Sequence, residues 1–521
     1  MVMEKNNKQG FNHSLKRIAK TSFIVFTGII LSKILAYLYR IVIARDFGPE
    51  IYGIFSLAVV LAGVFSIFAS LGLDEGILRF VSFYRGKNEK NKIQQVIRFS
   101  LKIMFFTSIF SGLILFFLSG AISKEVFHNN NLIIFLKWFS LFIPVFIISG
   151  IFWSALKAYE EIGWYSFLSY ILQNFLQLAV LLFLIFLNFK EKSVVFSYTI
   201  GFLILFVVSF LVCKYKIPEI FHKPRINIKT RKEVNKELFA YSWPMMFMGA
   251  MLSIYTWIDS LTIGYFKDMS QIGIYNAAVP IATFLGLVPA LFISLFFPLV
   301  TKEFSRKNFK LIKDLSQQIG KWIFILNLPL VIILVFFPGA VINLLFGQGF
   351  MGAAGALRFL AIGTFFFSIF SVSNTLLSMV GKSKTILVNI IVISIINLLL
   401  NIILVPKYGI EGAAFSTMLS YILWGLITLF QARKYTSIVP LKRKMFRVFF
   451  IMIIPASILF LIKQFIPINL FTMLVQGTLF LLLYLILILA TGCLDKNDIM
   501  ILNFIKKRVT GTKIINRNIT T

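Results

Sequence analysis

The chain has 521 residues, 59% of them hydrophobic and only 14% charged, with a mean hydropathy of +0.88 and a net charge of +32. A soluble domain carries about 25% charged and about 45–50% apolar residues, so this composition excludes a water-soluble globular protein and makes lipid the main solvent. Backbone groups cannot go unpaired in hydrocarbon, which leaves helices and closed barrels; barrel strands would alternate apolar with polar residues, and here the apolar runs are continuous.

Fourteen such runs follow one another, at 21–44, 51–73, 96–119, 132–156, 165–188, 194–213, 240–265, 273–299, 320–338, 357–380, 385–405, 410–430, 446–465 and 469–493. At 1.5 Å per residue each can cross a hydrocarbon core about 30 Å thick. A basic tail, 1–20, leads into the first run without a small-residue cleavage pattern, so that run reads as a retained helix rather than a signal peptide. Six runs, 21–213, make an N-terminal lobe. A basic linker, 214–239, holds Pro218, Pro224 and eight Lys or Arg residues; its part from Thr230 reads as a short amphipathic helix on the membrane surface. Six more runs, 240–430, make a C-terminal lobe. Helices thirteen and fourteen, 446–493, and a basic tail, 494–521, complete the chain. The expected fold class is an all-α integral membrane protein of about fourteen transmembrane helices, two parallel six-helix lobes plus two additional C-terminal helices.

Orientation follows from the basic residues. The N-terminal tail, the even-numbered connections with their edges and the C-terminal tail hold 39 of the 52 Lys and Arg residues, against 7 in the odd-numbered connections. That bias puts both termini in the cytoplasm. It also accounts for the basic charge through anionic membrane lipids, with no nucleic acid as partner.

An internal repeat supports the two lobes. Residues 22–59 lie over 242–279 at a constant offset of 220, with Ser22/Ser242, Ile34/Ile254, Ile43/Ile263, Gly53/Gly273, Ile54/Ile274, Ala58/Ala278 and Val59/Val279 identical. Both copies start on the same side, so the halves are parallel, related by an axis along the membrane normal, with a site expected between them.

In the first helix Lys33, Tyr37 and Arg40 share one face. Lys33 lies about 18 Å from the inner end, where a cation costs about 2.5–3.5 kcal/mol and is normally retained to face a wet cavity or a partner. Lysine as a point charge and arginine as a fork both suit phosphate oxygens; snorkelling could explain Arg40 but not Lys33. At the repeat positions stand Ser253, Trp257 and Ser260. Asp259 is the only acid well inside a run, read as a counter-charge for Lys33, a proton carrier, or an ordinary hydrogen-bonded residue. Arg79 closes the inner end of helix two, as a gate residue or an interface anchor. The pairs Gln173/Gln177 and Asn397/Asn401 suit interhelical hydrogen bonds, and Pro280, Pro289 and Pro298 predict a bent eighth helix. Gly347-Gln-Gly349-Phe-Met-Gly352 follows a membrane helix rather than a strand, and Gly381-Lys382-Ser383 has Leu376 where a P-loop needs glycine, so neither marks a nucleotide site. Cys213, Cys493 and the three histidines form no metal or disulfide pattern, and no cofactor is expected.

The stretches ARDFGPEIYGIFSLA at 44–58, LGLDEGILRFVSFYRGKNE at 71–89 and ALRFLAIGTFFFSIFSVSNTLLSMVGKSK at 356–384 resemble the polysaccharide flippases of the multidrug/oligosaccharidyl-lipid/polysaccharide exporter superfamily. The resemblance implies a non-enzymatic transporter that moves a lipid-linked oligosaccharide, a polyprenyl phosphate or pyrophosphate sugar, to the outer leaflet of the cytoplasmic membrane by alternating access. It implies a central cavity lined by basic residues of the N-terminal half, which Lys33 and Arg40 fit, a last helix pair beside the lipid tail, and glycosyltransferases of the same pathway as partners. The alternatives are a multidrug or cation antiporter of the same superfamily, expected to show membrane carboxylates, and a lipid II flippase. A membrane glycosyltransferase would need a large polar loop that the chain lacks.

Overall fold

The computed structural model describes residues 2–465 and 470–493, and the expected tail 494–521 lies outside the described residues. Every regular element among the described residues is helical. Among the described residues twelve helical stretches are long and apolar enough to cross a membrane. Two of these, Thr27–Ser70 within the helix Val2–Ser70 and Ser383–Thr436, are each two helices joined at a glycine in the left-handed region, Gly48 at φ 77° and Gly409 at φ 57°. The chain reverses at both. The Tyr39 and Phe55 ring centroids lie 5.7 Å apart, whereas sixteen residues of straight helix would separate them by about 24 Å. Asn397 Nδ2 likewise donates to Ser420 Oγ at 3.2 Å across twenty-three residues. Glycine allows such a turn without the Cβ clash that other residues meet there. The crossings among the described residues therefore number fourteen, which leaves both ends of the bundle on one face, called here the terminal face.

Local chemistry explains the irregular elements. The second crossing ends at Ser70; after Leu71 and Gly72, both at positive φ, a separate helix, Leu73–Gly86, follows outside the spans. The eighth runs as Met269–Thr283, a 3₁₀ turn at Phe284–Gly286, then Leu287–Ser305. This 3₁₀ turn lies between Pro280 and Pro289, in the stretch where the proline spacing predicts a bend. The seventh helix differs from expectation. It is one helix, Ile228–Phe266, capped by Asn227, whose side chain accepts from the Thr230 amide at 2.7 Å. The segment from Thr230 is thus no separate surface helix. Val234 and Leu238 are buried, Leu238 against Gly76 of the N-terminal lobe, and Gln95 Nε2 donates to Asn235 Oδ1 at 2.8 Å.

The last two helices, Arg443–Phe465 and Leu470–Ala490, pack on the ninth, Phe309–Phe336. Val448 and Met452 share a core with Phe324 and Leu328, and Tyr484 Oη donates to the Ile325 carbonyl at 2.9 Å. Outward, Phe106, Phe110 and Phe117 of the third helix are 60–76% exposed. Apolar patches of that extent have no place on a soluble monomer and suit contact with lipid.

Candidate functional site

The lobes meet through contacts that obey the 220-residue offset. On the face opposite the termini, the starts of the second and eighth helices cross backbone to backbone at Gly53 and Gly273. A Cβ on Gly53 would lie 2.9 Å from the Gly273 nitrogen and overlap the Met269 carbonyl; a Cβ on Gly273 would lie 3.0 Å from the Gly53 nitrogen and overlap the Pro49 carbonyl. Each residue is its counterpart plus 220, so this is an isologous contact within one chain, and only glycine permits it. Three further bonds cross the lobes here. Tyr52 Oη donates to the Asn276 carbonyl at 3.1 Å. The Arg45 guanidinium donates to the carbonyls of Leu345, at 3.0 Å, and Leu344, the C-terminal carbonyls of the helix Pro338–Phe346. Cations are favoured at such a terminus. The glycine-rich turn at 347–352 packs on this seal, with the Phe350 and Tyr52 rings 6.0 Å apart.

A second tier lies deeper. Tyr37 Oη and Thr283 Oγ1 are 3.5 Å apart. Trp257 lies against Gly63, where a Cβ would come within 2.6 Å of its ring. Tyr37 and Trp257, and Gly63 and Thr283, are again repeat mates.

Close to these contacts is a cavity of about 240 Å³ whose walls carry the repeat pairs Arg40/Ser260, Ser56/Asn276 and Val59/Val279. Arg40 stands beside the hydroxyls of Tyr52, Tyr198 and Tyr37 and forms no ion pair among the described residues. Across the cavity, Asp259 accepts from Tyr275 Oη, from Thr417 Oγ1 at 2.6 Å and from Asn401 Nδ2 at 3.0 Å. Asn397 extends the network by donating to Thr417 Oγ1 at 3.3 Å. The carboxylate is thus held by neutral donors from helices eight, eleven and twelve, and no Lys33–Asp259 bridge forms. Its neighbours are oxygen and amide groups, the donors that hard cations accept. Among the described residues no group of three His, Cys, Asp or Glu side chains could hold a metal.

The cavity gathers Arg40, Trp257, Asp259 and Ser260, with Tyr37 joined to its lining residue Thr283. Lys33 does not line it. Seven residues, or about 10 Å, nearer the terminal face on the same helix, Lys33 is half-buried and has no hydrogen-bond or ion-pair partner among the described residues. Ser253 lies on the terminal side of Trp257 and gives its carbonyl to Thr256 Oγ1 at 2.7 Å. Arg79, exposed at the terminal face, stacks over Tyr241 of the seventh helix with its guanidinium carbon 4.1 Å from the ring centroid. The sequence reading passed over Arg45, Tyr52, Tyr275 and Thr417, because uncharged hydroxyls carry no hydropathic signal. Arg45 did carry one, as a basic residue among the few in odd-numbered connections.

A family model described as "Polysaccharide biosynthesis protein" matches residues 18–304, and one described as "MatE" matches 244–403. The "Putative O-antigen transporter" of Shigella flexneri is 24% identical over 74% of this chain and 90% of its own length. The "Lipid II flippase MurJ" of Bacillus subtilis is 23% identical over 82% and 85%. A solved structure, "Lipid II flippase MurJ, inward closed conformation", superposes with a TM-score of 0.70 at 19% identity, covering 89% of this chain and 98% of that one.

Proposed function

The chain belongs to the polysaccharide biosynthesis protein family of MOP-superfamily flippases, and on that premise we propose that it carries a lipid-linked oligosaccharide from the inner to the outer leaflet of the cytoplasmic membrane, by alternating access, for assembly of cell-surface glycans. One observation carries the reading: Arg40, inside a membrane-crossing helix, faces the space shared by both lobes and is free of any acidic partner among the described residues. A guanidinium held there is expensive without an anion to receive. The lipid phosphate or pyrophosphate is that anion, met first by Lys33 and then by Arg40 as the head moves along the first helix. The polyprenyl tail remains in lipid.

The terminal face is cytoplasmic in this reading, from the bias of basic residues, and faces anionic lipids and the glycosyltransferases that supply substrate. The cavity of about 240 Å³ is smaller than the roughly 300–1,000 Å³ of ordinary ligand sites, so the lobes part to admit a sugar chain. An inward-negative potential favours the outward step by about 2.3 kcal/mol per charge per 100 mV. A drug or cation antiporter would need a carboxylate presented to its cargo; here three donors already occupy that of Asp259.

Complementation of a flippase-deficient strain tests the proposal. At matched expression, Arg40→Ala and Lys33→Ala should lose glycan export, and Arg40→Lys should restore part of it. Full export in both alanine variants would overturn anion capture.

A further inference from the structure

Within the cavity the two walls differ in kind. The N-lobe wall supplies Arg40. The C-lobe wall has no Lys or Arg among its lining residues and instead presents Tyr255, Trp257 and Tyr421. Two of these rings are rigidly backed. Tyr255 and Tyr421 lie 6.1 Å apart between centroids; Phe367 packs on Tyr421 at 4.8 Å, and Trp424 closes the group at 5.5 Å from Tyr255 and 5.3 Å from Phe367. The cluster forms its own small core, so the two cavity-lining rings are held before any ligand arrives, which reduces the ordering cost of binding.

The hydrogen bonding gives a second, independent sign. Most buried polar groups of this cavity are paired: Ser56 with the Tyr52 carbonyl, Asn276 with Ser260, Thr417 with Asp259. Among the described residues Thr364 and Tyr255 are not. Tyr255 is 7% exposed and its ring lines the cavity, while its Oη is sealed beneath that wall without a partner. An unpaired buried hydroxyl costs about 1–3 kcal/mol, so retaining one just beneath the cavity wall fits a group that is paired only when the lobes part and a ligand reaches it.

We propose that the C-lobe wall is a saccharide subsite, in which a sugar ring lays its C–H face on Tyr421 while a sugar hydroxyl pairs with Tyr255 Oη. This deepens the flippase reading and rests on it. Aromatic faces are electron-rich and favour the polarised C–H bonds of a pyranose, and a neutral sugar loses nothing by lying beside Asp259, where a phosphate would meet no cation. The cavity therefore orients its cargo, phosphate toward Arg40 on one lobe and the first sugar toward Tyr255 and Tyr421 on the other. A lipid phosphate without its sugar meets only half of the site.

Equilibrium binding to the full-length protein in lipid nanodiscs separates the two readings. The probes are a bare polyprenyl diphosphate and the same lipid bearing one N-acetylglucosamine. In the wild type the added sugar should tighten binding about five- to tenfold, the worth of one hydrogen bond or slightly more. Tyr255→Phe, which removes only the hydroxyl, should abolish most of that increment and leave the bare lipid unchanged, while holding or raising the thermal stability of the ligand-free protein. Tyr421→Ala should abolish the increment as well. No increment in the wild type, or one that survives both substitutions, overturns the subsite. Arg40→Ala should weaken both probes alike; if it leaves both unchanged, the anion-capture reading fails, whatever the tyrosine variants do.

Discussion

The reciprocal glycine contact can be tested by one added carbon. In Gly53→Ala the new Cβ starts 2.9 Å from the Gly273 nitrogen and overlaps the Met269 carbonyl. Ordinary contact begins near 3.4 Å, so the helices must separate by more than half an ångström, and the obstacles are backbone atoms that no rotamer change can remove. Overpacking of this kind costs about 1–3 kcal/mol, and here it falls only on states closed at the face opposite the termini. Each 1.4 kcal/mol is tenfold in an equilibrium, so open states should gain about 5- to 150-fold. The assay is labelling of whole cells by a membrane-impermeant thiol reagent. The target is Ser56→Cys in the cavity, after the two buried native cysteines, Cys213 and Cys493, are changed to serine. Gly53→Ala and Gly273→Ala should each speed labelling at least about fivefold. Gly249→Ala, where a Cβ meets nothing within 4 Å, should not. Equal rates in all three variants at matched expression would refute the idea that this contact holds the closed state.

Three more outcomes follow from the same geometry. Arg45→Gln removes the guanidinium from the Leu344 and Leu345 carbonyls; it should raise the same labelling rate by a smaller factor, for a bond worth about 1–2 kcal/mol, and an unchanged rate would show the clamp to be idle. Asp259→Asn turns an acceptor toward three donors into a partial donor, leaves at least one of them unpaired, and should lower the melting temperature by the equivalent of about 1–3 kcal/mol; an unchanged melting curve would refute a structural role for the network. Asp74, in the first turn of Leu73–Gly86, lies against Gly150 with Oδ1 unpaired, and burial, helped by the neighbouring charge of Glu75, pushes its pKa up to about 7. Its ionised form therefore destabilises the fold: the penalty is absent below about pH 4, grows as pH rises, and is complete above pH 7. Asp74→Asn should raise thermal stability at pH 8 by about 1–3 kcal/mol, allowing for its partial exposure, and change nothing at pH 4; a gain of equal size at both pH values would rule out titration as the cause.

The crossings were legible in the sequence because burial in lipid imposes a length and a composition on each of them. The repeat was legible too, through identities such as Gly53/Gly273, but its meaning was not: a sequence overlay reports two equivalent positions, and only the fold shows that the equivalent atoms touch. Arg40 and Asp259 were found as charged breaks in apolar runs, and Trp257 and Ser260 as the repeat mates of Tyr37 and Arg40. The partners of Asp259 were harder. Asn401 was marked by its four-residue spacing from Asn397, whereas Tyr275 and Thr417 belong to other helices, and one chain gives no record of which helices adjoin. The segment from Thr230 was misjudged because basic residues on an amphipathic helix suit a membrane surface and a protein groove equally well. The buried Val234 and Leu238 decide for the groove, and no sequence rule assigns that partner.

The seventh helix has its first turns sunk in one lobe, through Val234, Leu238 and Asn235, and its far end bonded into the other, through Asp259 and Thr262. The bodies are therefore coupled by a stiff rod instead of a slack tether, and relative rotation must register as curvature along it. Pro244 lies inside that rod and removes a backbone bond, so flexure concentrates there. Under the proposed rocking of the lobes, such a joint would act as a leaf spring: bending stored in one direction would be available to drive the return, and the stiffness of a few residues around Pro244 would set the pace of the cycle from outside the cargo chamber.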